Sequence, residues 1–314
     1  MTIPVTLDNF TRVETDTMIL KMLPIIGGVG VFHHDRELAP LSQQPVIRQN
    51  RDTLYSVAIA DIAHGGATLS IPEAGDRYIS VMVINQDHYI NRVFHEAGAY
   101  TLTTDDFDTD YVVVAARILF DPADESDLAE VHRLQDALTI TAGDQREFRY
   151  PDYDAASHAA VRDALLVLGR TMSGLDGCFG TAAQVDPVHH LVATASAWGG
   201  LPDTEARYIN IDPRRPQARY TMTFGPEVPA DAFWSLSVYN GDGYFEPDAS
   251  TVTNVNSVFG AKDADGSITV RLGDWPDGTP NRISLPAGWN LLVRLYRPRL
   301  NDLATWSVPE IVAH

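Results

Sequence analysis

Between residues 7 and 26, Phe10, Val13, Thr17, Leu20 and Leu23 recur at spacings of three and four, which is the period of an amphipathic helix, and Gly27-Gly28 ends the pattern. A docking helix is predicted, within an N-terminal helical segment over 1–44. From Pro45 the period changes. Runs rich in β-branched and aromatic residues at 54–62, 67–71, 77–85, 92–102 and 111–120 are separated by Gly, Pro, Asn and Asp clusters. Closely spaced strands without helices between them predict an antiparallel sandwich or barrel over 45–120 and argue against a doubly wound sheet.

Residues 121–200 return to a helical pattern. Asp124-Glu125-Ser126-Asp127 precedes Leu128, Val131, Leu134 and Leu138, and Ser157 precedes Val161, Leu165, Leu168 and Met172. Acidic and hydroxyl residues at these starts accept the free N–H groups of a first turn. Over 201–314 strands reappear at 219–224, 233–239, 267–272 and 289–296, with Ile268, Val270 and Leu272 alternating against Thr269 and Arg271. The expected fold is mainly β with a helical insert, built from two antiparallel β-sandwich modules of jelly-roll type.

A repeat links the modules. Pro72-Glu73 followed by a strand ending in Asn85-Gln86-Asp87-His88-Tyr89 matches Pro226-Glu227 followed by a strand ending in Asn240-Gly241-Asp242-Gly243-Tyr244. Each module is thereby expected to present an Asn, an Asp and a Tyr at an equivalent strand end.

Composition narrows the partners. Lys plus Arg number 23 against 42 Asp plus Glu, so this acidic chain carries a net charge of −19 and repels phosphate backbones and anionic membranes. No nucleic acid or membrane partner is expected, whereas a small-molecule ligand is, and a homo-oligomer is compatible with the pattern. Cys178 is the single cysteine, so no intramolecular disulfide forms. The start Met1-Thr2-Ile3-Pro4-Val5 shows no basic, apolar and cleavage pattern of a signal peptide, and a cytoplasmic location is the expectation.

The densest polar cluster is Arg48-Gln49-Asn50-Arg51-Asp52-Thr53-Leu54-Tyr55-Ser56, which exceeds what a turn needs and suits an ion-paired platform; the plain alternative is a network that pins the loop. Asp87, His88 and Tyr89, with His95-Glu96 beyond, put a carboxylate beside an imidazole, although adjacency does not aim one at the other. His33-His34 and His189-His190 are adjacent pairs whose members point apart, and no His-x-x-x-His or Cys-x-x-Cys occurs, so no metal is expected. Asp263-Ala264-Asp265-Gly266 reads as a hairpin turn and Gly177-Cys178-Phe179-Gly180 as a site for a small buried residue. The chain has no Gly-x-Ser-x-Gly elbow, no phosphate loop and no dinucleotide fingerprint, and no cofactor is expected.

Asn50-Arg51-Asp52-Thr53-Leu54-Tyr55-Ser56 with Asp61, then Arg77-Tyr78 and Asp87-x-Tyr89, resembles the signature of the bacterial proteins with paired DUF1254 and DUF1214 domains. Phe233 to Tyr239, Asp265-Gly266-Ser267, Leu285-Pro286 and Arg294-Leu295-Tyr296-Arg297-Pro298 are similar to the DUF1214 frame. Where that family commonly has Asn-Trp-Leu-Pro, this chain reads Asn281-Arg282-Ile283-Ser284-Leu285-Pro286. The resemblance implies two β-sandwich modules and leaves the reaction open. The combined expectation is a small polar or sugar-like ligand in a cleft between the modules, with cofactor-free hydrolase or lyase chemistry as its enzymatic form. Asp52 or Asp87 would be general base, Tyr55 proton donor and Arg51 the stabiliser of negative charge, with Asn50, Arg77, Tyr89, Tyr239, Asn240, Asp242, Tyr244 and Arg294 binding the ligand. A non-catalytic binding or assembly protein and a metal-dependent enzyme are the alternatives.

Overall fold

The computed structural model describes residues 2–44, 47–143, 145–247 and 252–314; Met1 and Pro45, which open two of the expected segments, lie outside them. Two compact units emerge, Met1–Arg36 with Thr53–Asp203, and Glu37–Asp52 with Thr204–His314. The fold is mainly β, as the alternating patterns predict.

The first unit opens with helix α1 (Phe10–Ile26), closed by Gly27 at φ 94°, whose N–H donates to the Leu23 carbonyl. Strands β1 (Phe32–His34), β2 (Thr53–Asp61), β3 (Ala67–Ile71), β4 (Ile79–Asn85), β5 (Ile90–Phe94) and β6 (Gly98–Leu102) follow, then the short helix α2 (Thr104–Phe107) and β7 (Tyr111–Leu119). Helix α3 (Glu125–Ala137), β8 (Thr139–Ala142), α4 (Ala155–Gly169) and α5 (Pro187–Ser196) complete it. One sheet runs β1-β2-β7-β4-β5 and another β6-β3-β8. Strands β4 and β7 are buried along their whole length, so both their faces are covered and no alternation survives in them.

Three expectations change here. The run 92–102 is two strands, because β5 pairs with β4 and β6 with β3, and the chain changes sheets between them. The stretch 121–200 is not wholly helical, since β8 pairs with β3. In α1, Leu20 is exposed, while Glu14, Thr15 and Asp16 are buried beside Phe10, Val13 and Ile19. A helix that buries two carboxylates must supply partners for them. Helix α4 supplies His158 and Arg162 to Glu14, and α4 and α5 share an apolar cluster with α1 through Phe10, Val13, Leu165, Val192 and Ala195.

The second unit holds β9 (Ala206–Ile211), β10 (Tyr220–Phe224), β11 (Ala230–Tyr239), β12 (Asn254–Asn256), β13 (Ile268–Leu272), β14 (Arg282–Ile283), β15 (Asn290–Pro298), helix α6 (Leu300–Leu303) and β16 (Val312–Ala313). Its sheets run β12-β11-β15-β9 and β14-β13-β10-β16. Met222, Phe224, Val270 and Leu272 of one sheet share a core with Trp234, Leu236, Val238, Leu291 and Val293 of the other, which makes this unit a β-sandwich.

The repeat seen in the sequence is a repeat of topology. The order β5-β4-β7-β2 corresponds to β12-β11-β15-β9, and β6-β3-β8 to β13-β10-β16. At the end of β4, Asn85 Oδ1 accepts from the Asp87 and Tyr89 N–H groups at 3.0 and 2.9 Å; at the end of β11, Asn240 Oδ1 accepts from those of Asp242 and Tyr244 at 3.1 and 3.0 Å. The fourth turn residue is left-handed in both, His88 at φ 63° and Gly243 at φ 86°.

Candidate functional site

The two faces of β11 differ in chemistry. Trp234, Leu236 and Val238 enter the sandwich core, whereas Ser235, Ser237 and Tyr239 occupy the opposite face and are also buried. The register sets Ser235 between Asn256 on β12 and Arg294 on β15, and Ser237 opposite Asn254. A polar stripe therefore crosses three strands. It is covered within the same unit by the loop that ends at Asp52.

The guanidinium of Arg294 is buried and donates to Ser237 Oγ at 3.0 Å, to the Tyr239 hydroxyl at 2.9 Å and to the Arg48 carbonyl at 2.7 Å. Burial opposes its charge, but Tyr239, Tyr296 and Asp52 more than offset that and raise its pKa. The Tyr239 hydroxyl in turn donates to the Gln49 carbonyl at 3.0 Å. Asp52 accepts from Asn254 Nδ2 at 2.6 Å and more weakly from Asn256 Nδ2 at 3.5 Å, both on Oδ1. Burial pushes its carboxyl above the ordinary range, against the opposing pull of Arg294, Ser235, Asn254 and Asn256.

Four buried polar atoms in this group have no hydrogen-bond partner among the described residues: Arg48 Nη1, Gln49 Oε1, Asp52 Oδ2 and Ser235 Oγ. The Ser235 hydroxyl is near enough to favour ionised Asp52, yet it makes no hydrogen bond of ordinary geometry. Each buried unmet group costs about 1–3 kcal/mol, so such a concentration calls for a cause.

The remaining expected residues of this unit serve the loop and the turn. Asn50 Oδ1 accepts from the Asp52 N–H at 2.8 Å. Arg51 donates to the Ala39 carbonyl at 2.7 Å and lies 5.8 Å from the Phe245 ring centre. Asn240 anchors the strand-end turn and donates from Nδ2 to Glu246 at 2.8 Å; the Asp242 side chain is exposed and Tyr244 half-buried.

In the first unit Tyr55, Arg77 and the turn that carries Asp87 and Tyr89 each engage separate partners. Tyr55 lies under the Arg117 guanidinium, 5.2 Å from its ring centre. Arg77 pairs with Asp127 and donates to the Leu119 carbonyl, which ties α3 to β7. Asp87 accepts both of its bonds from Arg12 at 2.7 Å and makes none to His88. His88 belongs to a column of rings: Trp198 stacks on it at 5.4 Å, it stacks on His190 at 5.4 Å, and His190 stacks on Tyr89 at 4.6 Å. The Gly199 N–H donates to His88 Nε2 at 2.9 Å, and Thr194 Oγ1, which donates to the His190 carbonyl, lies 2.8 Å from Nδ1. This network assigns the proton to Nδ1 of a neutral ring. Burial, with His190 beside it, lowers the His88 pKa well below its usual value.

The carboxylates of α1 are fully engaged. Glu14 accepts from His158 and Arg162 at 2.6 and 3.0 Å, and Asp16 from Gln86 and Tyr153 at 2.7 and 2.9 Å. Burial, with Asp203, Asp176 and Asp186 nearby, pushes the Cys178 thiol up to about 12, which leaves it unreactive at neutral pH. Among the described residues no three His, Cys, Asp or Glu side chains converge as metal ligands, and no helix is long and apolar enough to cross a membrane.

Ser235, Asn254 and Asn256 were not singled out from the sequence as site residues. The usable signal was the alternation Ser-Leu-Ser and Asn-Val-Asn, which marks strands with one polar face.

These features define a two-module, mainly antiparallel β protein with an internal duplication. Residues 29–142 match the model described as Protein of unknown function (DUF1254), and residues 210–300 the one described as Protein of unknown function (DUF1214). The chain belongs to the family of proteins that carry these two domains. The crystal structure of the VPA0106 protein from Vibrio parahaemolyticus is similar over 98% of this chain and 97% of that one, at 16% identity and a TM-score of 0.76. A crystal structure of an uncharacterized protein from Burkholderia cenocepacia is similar over 98% and 87%, at 13% identity and a TM-score of 0.54. Both likenesses are of fold. No curated protein matches.

Proposed function

We propose that the protein binds a small, neutral, hydroxyl-bearing molecule at the polar stripe of its second unit, and that Asp52 exchanges a proton with it. The observation that carries this reading is the group of unmet buried atoms. Arg48 Nη1 can only donate, Gln49 Oε1 and ionised Asp52 Oδ2 can only accept, and Ser235 Oγ can do either. Hydroxyl groups, which donate and accept, answer all four. Asp52 then has the setting of a general acid or base, because burial brings its proton affinity closer to neutral pH and Arg294 stabilises the ionised form. Hydrolysis or elimination on a polyol or sugar-like compound is the chemistry such a pair would serve. A cytoplasmic location goes with this reading, since the lone buried Cys178 needs no oxidising compartment.

The rival reading is that the same groups only fix the loop to the sheet, and the Arg294 to Arg48 and Tyr239 to Gln49 bonds favour it. The test is thermal unfolding with a panel of neutral polyols and monosaccharides. At least one member should raise the melting temperature in a concentration-dependent way. That response should vanish in Asp52→Asn and Ser235→Ala, which keep volume and backbone. A panel without effect on the unsubstituted protein, or a response the variants retain, would leave the loop-fixing role alone.

A further inference from the structure

We propose a second, independent ligand site in the first unit, a groove that takes a small zwitterion with an apolar or aromatic side chain. It is lined by residues of β5 and β6, edge strands of separate sheets, and its volume of about 360 Å³ falls at the lower end for small-molecule sites. Arg92, Phe94, Tyr100, Thr101, Asp106 and Phe107 line it.

Its floor is aromatic and fixed. The rings of Phe94 and Tyr100 stack with centres 4.2 Å apart, and the Tyr100 hydroxyl donates to the Glu96 carbonyl at 2.9 Å, which holds that ring in place. Asn91 Nδ2 donates to the Asp106 carbonyl at 2.8 Å and ties the short helix α2 to β5, so the acidic side of the groove is positioned as well.

The charges carry the argument. The Arg92 guanidinium forms no ion pair or hydrogen bond among the described residues, although the chain holds 42 carboxylate side chains against 23 basic ones. Asp106 gives one oxygen to Thr103 Oγ1 at 3.0 Å and meets no cation. Both side chains face the same groove, and they do not pair with each other. A ligand with a carboxylate for the guanidinium fork and an ammonium for Asp106 would bridge them, and its side chain would lie on the Phe94 and Tyr100 rings. A simple anion would leave Asp106 facing negative charge, and a simple amine would leave Arg92 facing positive charge.

Calorimetric titration with L-phenylalanine, 3-phenylpropanoate and 2-phenylethylamine tests this. L-Phenylalanine should bind saturably, and each analogue lacking one charge should bind about tenfold more weakly or worse. Arg92→Gln should lower affinity for L-phenylalanine and for the acid while leaving the amine unaffected; Asp106→Asn should do the converse. Both side chains are exposed, so melting temperatures should not move. Absence of saturable binding up to about 10 mM, binding indifferent to both substitutions, or an analogue that binds as well as the zwitterion would overturn the proposal. None of these results bears on the Asp52 stripe, whose panel carries no charge.

Discussion

Replacing Arg294 by methionine is expected to destabilise the protein by about 3–5 kcal/mol, the cost of removing one partner from a buried charged network. Methionine fills much of the same volume, so packing is a small part of the loss. Ser237 Oγ, the Tyr239 hydroxyl and the Arg48 carbonyl lose their donor, and Asp52 loses the cation that favours its charged form. Against a total stability of about 5–15 kcal/mol, this brings the second unit near its unfolding limit.

The loss should also depend on pH. Burial raises Asp52, so the folded state keeps a proton that the unfolded chain releases near 3.8. The stabilisation from this protonated group is therefore complete below that value and is lost as pH rises through the folded pKa. Without Arg294 the folded pKa rises further, and the variant should be weakest at neutral pH. Adding Asp52→Asn should recover part of the stability there and none at pH 4. Urea midpoints at pH 4 and pH 7 decide the matter; a loss equal at both pH values, and unchanged in the double variant, would show that Arg294 acts through its hydrogen bonds and packing and not through the charge of Asp52.

The second large effect is acid destabilisation through His88. Its ring is buried and neutral, with a pKa held well below 6.5 by burial and by His190. The unfolded chain therefore takes up a proton near 6.5 that the folded protein refuses, and stability falls on acidification below that point by up to about 1.4 kcal/mol per pH unit. Asp52 contributes the opposite slope above 3.8, so the His88 slope should be read in the Asp52→Asn background. His88→Asn is the informative change, because asparagine tolerates the left-handed backbone at φ 63° better than other residues. It should lower stability at pH 7 through loss of the Trp198 and His190 stacking, and it should flatten the curve below pH 6.5. A curve as steep as that of the parent would mean that another group takes up the proton.

Local pattern was a good guide wherever one face of an element is buried and the other is wet. The alternation around Ile268, Val270 and Leu272 placed β13, and the turn residues Asn85 and Asn240 were found through their repeat. The pattern failed where tertiary covering was complete. Strands β4 and β7 are buried on both faces, and α1 hides Glu14 and Asp16 because His158, Arg162, Gln86 and Tyr153 reach them from far along the chain. The split at 95–97 depends on which earlier strand each half pairs with, and strand propensity carries no such information.

The sequence by itself determined the β-rich character and the duplication, because period, turn chemistry and local repetition are properties of neighbouring residues. Only the tertiary structure decided what Asp52 meets. Its carboxylate lies on Asn254 and Asn256, about two hundred positions away, and the pairing of β11 with β12 and β15 brings Ser235 and Arg294 into the same stripe. Its proton affinity follows from burial among those groups, and burial is a property of the packed unit rather than of any stretch of chain.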